Sequence, residues 1–264
     1  MAIADYESPQ IAERVEGMLS SIFPKDVVLS VADLAGFDQF HTGGLAATVR
    51  LMGLLSLDAE SNVLDVGSGL GGPARYIASE YGAHVTGIDL SQSFVEAART
   101  LNARTALGDQ VSFETGSALA LPFAPDSFDV VIMQHVAMNI HDRASLYAGI
   151  RNVLRGGGRF LTYDVIARSG APTFPVPWSP EPDTSFLVTE RATRDALERA
   201  GFTIETWHVE GPEAAAAFGV PSAGQVPPLA ALLGRPNFGE AVANLAASIA
   251  DGRVAVLTAV MRKE

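Results

Sequence analysis

Residues 62–89 read NVLDVGSGLGGPARYIASEYGAHVTGID, an apolar strand, a glycine-rich turn, a helix, and a second strand ending in an acid. No other stretch restricts the fold as tightly. Glycine alone takes positive φ without steric cost and lets another molecule approach the backbone with no Cβ between them. Gly67, Gly69, Gly71 and Gly72 crowd into one turn, and Pro73 opens the helix where a missing N–H has no partner to lose. Asp89 follows the turn by about 20 residues, the spacing at which a carboxylate reaches ribose hydroxyls. The segment therefore folds as a β-α-β unit with a nucleoside site at its turn.

Gly67, Gly69 and Gly72 also satisfy the dinucleotide pattern G-x-G-x-x-G, which admits a nicotinamide or flavin dehydrogenase. Asp65 argues the other way. It stands two residues before the first glycine, where a pyrophosphate would meet a like charge and an ammonium or sulfonium would meet an opposite one.

Strands and helices alternate from 62 to 166, the pattern of a parallel sheet covered by helices on both faces. The strands are expected at Val63–Val66, His84–Ile88, Val111–Glu114, Phe128–Met133 and Arg159–Ile166. Phe94, Ala97, Ala98 and Leu101 form one helical stripe, with Ser93 and Glu96 spaced as a capping box and Ser91 as the other candidate cap. A helix from about 143 to 154 is expected to stop at Gly156-Gly157-Gly158, and Asn139 to cap the loop before it. Residues 1–57 carry helices near 8–20 and 43–56 and are expected to cap the cofactor cleft, with Thr42 as the N-cap of the second. Residues 58–264 then form the main domain.

Within it, residues 168–188 contain five prolines with Phe174, Trp178 and Phe186, too proline-rich for a helix or central strand, and are expected to form an ordered lid. A helix at 189–200, a strand at 202–209, a helix at 237–250 and a strand at 254–261 complete the chain. The only low-complexity tract is the alanine run 214–217.

The segments V-L-D-V-G-S-G-x-G-G, Asp89, Leu119-Ala120-Leu121-Pro122-Phe123 and Ser127-Phe128-Asp129-Val130-Val131 together resemble the Rossmann-like S-adenosylmethionine-dependent methyltransferases. Phe40-His41-Thr42-Gly43-Gly44 and Gln134-His135-Val136-Ala137-Met138-Asn139-Ile140 are similar to the branch with sarcosine and dimethylglycine methyltransferases and ubiquinone-type C-methyltransferases. The resemblance implies an α/β fold of seven strands, mostly parallel with the last antiparallel, and S-adenosylmethionine as cofactor. It places the cofactor against Thr42, Gly43, Asp65, Gly67, Ser68, Gly69, Gly71, Asp89, Leu90, Ser117, Ala118 and Gln134. Asp65 would serve the methionine end and Asp89 the ribose. Ser117 stands where related sequences usually carry an acid for the adenine amino group; a hydroxyl accepts that bond more weakly.

Methyl transfer from a sulfonium demands alignment and exclusion of water. If the acceptor must first lose a proton, histidine is the natural base. His135, His41 and His141 lie in segments expected to border one crevice at the carboxyl ends of the strands, with His135 directly after the fourth. His84 and His208 fall elsewhere. Asp164, ending the fifth strand beside Tyr163, is a candidate for orienting an amine or hydroxyl. The three histidines lack an i, i+4 pair, so no metal is expected.

Eighteen basic against 30 acidic residues give a net charge of −12, which speaks against nucleic acid or an anionic membrane as partner. Absence of cysteine excludes disulfides and thiolate metal sites. No basic-then-apolar leader and no apolar run of about 18 residues is present, so a cytoplasmic enzyme acting on a small molecule is expected, with room for a homodimer. The residues leave three rivals open: an S-adenosylmethionine-binding enzyme of cyclisation or rearrangement, a dehydrogenase, and a non-catalytic binding subunit.

Overall fold

In a computed structural model the chain is described at residues 10–212, 233–234 and 237–264. Its elements run α1 (Ile11–Ile22), α2 (Val31–Asp38), α3 (Gly44–Met52), β1 (Asn62–Val66), α4 (Gly72–Tyr81), β2 (His84–Asp89), α5 (Gln92–Asn102), β3 (Val111–Thr115), β4 (Phe128–Gln134), α6 (Arg143–Val153) and β5 (Leu154–Ala167). They continue as α7 (Glu190–Arg199), β6 (Phe202–Glu210), α8 (Phe238–Ala250) and β7 (Val254–Lys263). The strands form a mixed sheet in the order β3-β2-β1-β4-β5-β7-β6. β1, β2 and β3 pair in parallel, as do β4 and β5, while β7 runs antiparallel between β5 and β6. This is the sheet the resemblance implied. The alanine run 214–217 lies outside the described residues.

The chain divides into two compact units, one of residues 10–118 with 233–234 and one of 119–212 with 237–264 among the described residues. In the first, α1 packs on α5, and α2 and α3 pack on α4. The stripe of α5 is buried as its spacing predicts. Its cap is Ser91, whose Oγ accepts from Phe94 N, and not the Ser93–Glu96 box. The reason is upstream: Asp89 holds Ser91 N at 2.9 Å, so Ser91 is the last residue before the helix turns. Thr42 does not cap α3 either. Gly43, at φ 80°, occupies that position, and a Cβ there would lie 2.8 Å from Ala47 Cβ. The helix ends at Met52, not 56, because Leu54 N and Leu55 N bond back three residues and tighten the chain. α2 was not expected; Ser30 and Asp33 close a capping box at its start.

In the second unit, α6 is capped by Asp142, whose carboxylate accepts from Ser145 N, while Asn139 Nδ2 donates to Val136 O. α6 gives way to β5 at Leu154, so Gly156-Gly157-Gly158 do not stop a helix. They carry β5 through a register shift against β4: Gly157 sits at φ 79°, and a Cβ on Gly158 would lie 2.9 Å from Asp129 O. Residues 168–188 form an ordered strap. Thr173 N donates to Ser248 Oγ, Asn244 Nδ2 to Pro175 O, and Trp178 Nε1 to Ser185 Oγ, with Val176 and Trp178 buried.

Candidate functional site

In the first unit the glycine turn hangs from the end of β2. Gly67 N and Ser68 N both donate to Ile88 O, at 2.7 and 3.1 Å, and Gly71 N donates to Ser68 O. Gly67, Gly69 and Gly71 all take positive φ, at 73°, 52° and 82°. The floor beneath is Phe113: a Cβ on Gly71 would overlap its ring, and one on Gly87 would lie 2.6 Å from it. Over Gly69 a Cβ would meet nothing within 4 Å. The turn is thus packed below and clear above.

Asp89 accepts from Gly69 N through Oδ2 and from Ser91 N through Oδ1, both at 2.9 Å, and burial raises its carboxyl above the usual range. Gly116 N donates to Asp89 O, which brings Ser117 and Ala118 after β3 beside the same strand end as Leu90. Asp65 is 2% exposed and its Oδ2 has no hydrogen-bond partner. Burial, seconded by the charge of Asp89, pushes it up to about 7. Ser68 Oγ is likewise buried without a partner.

His41 Nε2 lies 3.1 Å from both Gln39 Oε1 and Thr48 Oγ1, and Nδ1 lies 3.2 Å from Thr42 O. Desolvation lowers the imidazole to about 4, so it is neutral at physiological pH and tied into the approach to α3. Gln39, α2 and Arg75 had no place in the reading of the sequence. Arg75 is fully buried: Nη2 bonds Asp38 Oδ2 at 2.8 Å and also Leu70 O in the glycine turn, and Nη1 bonds Ala98 O. The pair Ser30-x-x-Asp33 before an apolar run was the signal for α2; Arg75 left none.

In the second unit Gln134 ends β4 with its amide oxygen and nitrogen both buried and without partners. His135 follows at φ 55°, its N–H on Tyr163 O at 2.7 Å and its ring 5.3 Å from that of Tyr163. Such a backbone persists in a non-glycine residue only where its surroundings impose it. Asp164 imposes part of it: Oδ2 accepts from Ala137 N at 2.6 Å and Val136 N at 3.3 Å, and Oδ1 accepts from Val165 N at 3.0 Å. Both oxygens of Asp164 thus hold backbone. Burial pushes its carboxyl up to about 6, against the pull of Arg143. His141 is exposed, edge-on to Phe186 at 5.5 Å, and Phe186 N donates to Met138 O, which ties the strap to the segment after β4.

Residues 64–162 match the model of the methyltransferase domain family. Over those residues the chain carries a methyltransferase domain of the S-adenosylmethionine-dependent type. Methyltransferase GfsG of Streptomyces halstedii is 35% identical over 136 residues, 52% of this chain and 49% of that protein. The glycine/sarcosine/dimethylglycine N-methyltransferase of Actinopolyspora halophila is 33% identical over 134 residues, 51% and 24% of the two chains. The chain spans about half or less of the length of these curated relatives. A solved structure of geranyl diphosphate C-methyltransferase from Streptomyces coelicolor A3(2), with Mg2+, geranyl-S-thiolodiphosphate and S-adenosyl-L-homocysteine, aligns at TM-score 0.70 and 17% identity over 98% of this chain and 95% of that one. At that identity the likeness shows the fold.

S-adenosylmethionine is the cofactor of this methyltransferase family, and the first unit fits it. The partnerless Asp65 Oδ2 suits a ligand cation, and the open side of Gly69 suits a sugar backed by Asp89. Among the described residues no helix is long and apolar enough to cross a membrane.

Proposed function

We propose that this methyltransferase moves the methyl group of S-adenosylmethionine to a nitrogen, carbon or oxygen atom of a small molecule by in-line displacement. The observation that carries the reading is Asp65, a buried carboxylate with an unpartnered oxygen, two residues before a turn held clear on one side. A pyrophosphate cofactor would leave that charge opposed.

In this reading Asp65 receives the amino-acid end of the cofactor, with Thr42 and Gly43 closing over it. Gly67, Ser68, Gly69 and Gly71 line the middle, Asp89 and Leu90 take the ribose, and Ser117 with the N–H of Ala118 take the adenine. Gln134 supplies the partnerless amide at the end of β4. The cofactor brings an electrophilic methyl on sulfur. What the chain adds is alignment and exclusion of water, worth several powers of ten without any proton transfer. Where the acceptor must shed a proton, His135 is the base we assign, since it directly follows β4 and its ring rests 5.3 Å from that of Tyr163. His41 is held neutral among Gln39 and Thr48, and His141 stands at the strap. Asp164 acts through the backbone it grips.

The acidic, cysteine-free chain supports a cytoplasmic enzyme without nucleic-acid or membrane partners, and a homodimer is compatible with it. The test is a screen of amines, phenols and quinones with S-adenosylmethionine, scored for S-adenosylhomocysteine and for methylated product by mass. Both are expected together. An altered acceptor with the cofactor unconsumed would instead make the protein a cyclase or rearrangement enzyme.

A further inference from the structure

The second unit carries a feature that methyl transfer leaves unused. Where β5 ends and the strap begins, an open cleft of about 710 Å³ is lined by Ala167, Arg168, Ser169, Thr189, Glu190, Arg191, Arg194 and Gly252. On a chain with 18 basic residues against 30 acidic ones, three guanidiniums share this one hollow.

Their partners are few. Among the described residues neither Arg168 nor Arg194 forms an ion pair, and Arg191 has only a loose contact of 3.8 Å with the half-exposed Asp195. The one carboxylate in the lining, Glu190, is engaged by Trp207 Nε1 at 2.9 Å. The neighbouring Arg253 is committed to Asp251, Ala171 O and Thr173 Oγ1. Arg194 lies over the Trp207 ring at 4.2 Å, which orients its planar fork while leaving the N–H edge for a ligand. Arg191 and Arg194, three apart on α7, share a helix face.

We propose that this cleft binds a compact dianion of the phosphate type, either free or as the phosphoryl group of a small molecule. A carboxylate saturates one guanidinium fork; a phosphoryl group has the charge and the oxygens to engage several. The first turn of α7 adds a favourable dipole. The position also matters for the strap. Ala167 N donates to Val188 O at 3.0 Å, and Ala167 bridges Thr189, so both ends of the strap meet at the cleft. An anion there joins Arg168 on one end to Arg191 and Arg194 just past the other.

Trp207 supplies the readout. The full chain is titrated with inorganic phosphate, with ionic strength held constant by chloride, and followed by tryptophan fluorescence and calorimetry. The expected result is one saturable site at about 1 mM or tighter. Arg168→Ala and Arg191→Ala, both exposed and outside the catalytic machinery, should each weaken it at least about fivefold, as loss of a charge-assisted bond implies, with methyl transfer unchanged. Glycerol 1-phosphate separates the sources: tighter binding than phosphate marks a phosphorylated small molecule, and equal or weaker binding marks the free anion. A response no larger than that to chloride, or variants that bind phosphate as the parent does, would overturn the proposal.

Discussion

Arg75 Nη2 lies 2.8 Å from Asp38 Oδ2, and both side chains are fully buried. The same guanidinium holds Leu70 O of the glycine turn, so a single side chain joins the end of α2 to that turn. The fit is close: a Cβ on Gly72 would lie 2.5 Å from Gln39 Nε2 and 2.8 Å from Asp38 Oδ1.

Breaking this pair from one side leaves the other charge buried. Arg75→Met should cost about 3–5 kcal/mol in urea denaturation, whereas replacing both partners by apolar residues should recover much of the loss. A single variant as stable as the parent would show that the pair carries nothing.

The two faces of the glycine turn predict opposite outcomes for two alanines. Gly71→Ala drives a Cβ into Phe113 at φ 82° and should destabilise the protein by about 2–3 kcal/mol. Gly69→Ala meets open space and should cost only about 1–2 kcal/mol for its left-handed backbone. It should nevertheless weaken S-adenosylhomocysteine binding at least about tenfold, because the methyl fills the ligand's side. Thermal melts and calorimetry on the two variants read both effects.

Asp65 in the proposed role should make cofactor binding depend on pH. Its carboxyl, raised from 3.8 to about 7, is largely protonated in the ligand-free protein below that pH. A folded pKa above the unfolded one means this group's contribution to stability is present at low pH and is lost as pH rises from about 4 through about 7. Asp65→Asn should therefore stabilise the ligand-free protein at pH 8. A cationic ligand favours the ionised form, so affinity for S-adenosylmethionine should fall below pH 7 with proton release on binding. Calorimetry in buffers of different ionisation enthalpy measures that release; an equal release in Asp65→Asn would assign it elsewhere.

Asp164 accepts three backbone N–H groups, two from Val136 and Ala137 after β4 and one from Val165. Asp164→Ala strands them, and since bonds to a charged group contribute about 1.5–3 kcal/mol each, turnover should fall at least about tenfold. S-adenosylhomocysteine affinity should change far less, and Asp164→Asn, which keeps one acceptor, should fall between. Full turnover in the alanine variant would end the role.

Much of this is legible in the sequence alone. The α5 stripe, the strands and the glycine turn announce themselves because their signals are local: a period, a φ demand, an acid at a fixed offset. What stayed hidden depends on partners far away in the chain. Arg75 looks like a surface arginine until α2 is folded 37 residues upstream against it. Gly156-Gly157-Gly158 look like a helix stop until the register of β4 against β5 demands a bulge. Asp164 looks like a substrate contact until the segment after β4 turns two N–H groups onto it. The helix caps fall elsewhere for a nearer reason: Asp89 fixes Ser91 before Ser93 is reached, and the left-handed Gly43 stands between Thr42 and its helix.

The most direct test of the central claim is a calorimetric titration of the protein and of its Asp89→Ala variant with S-adenosylhomocysteine and, separately, NADH. The account predicts one-to-one binding of the sulfur nucleoside by the parent, a loss of at least about tenfold in the variant, and no binding of the dinucleotide. NADH bound in its place, or unchanged affinity without the Asp89 carboxylate, would contradict it.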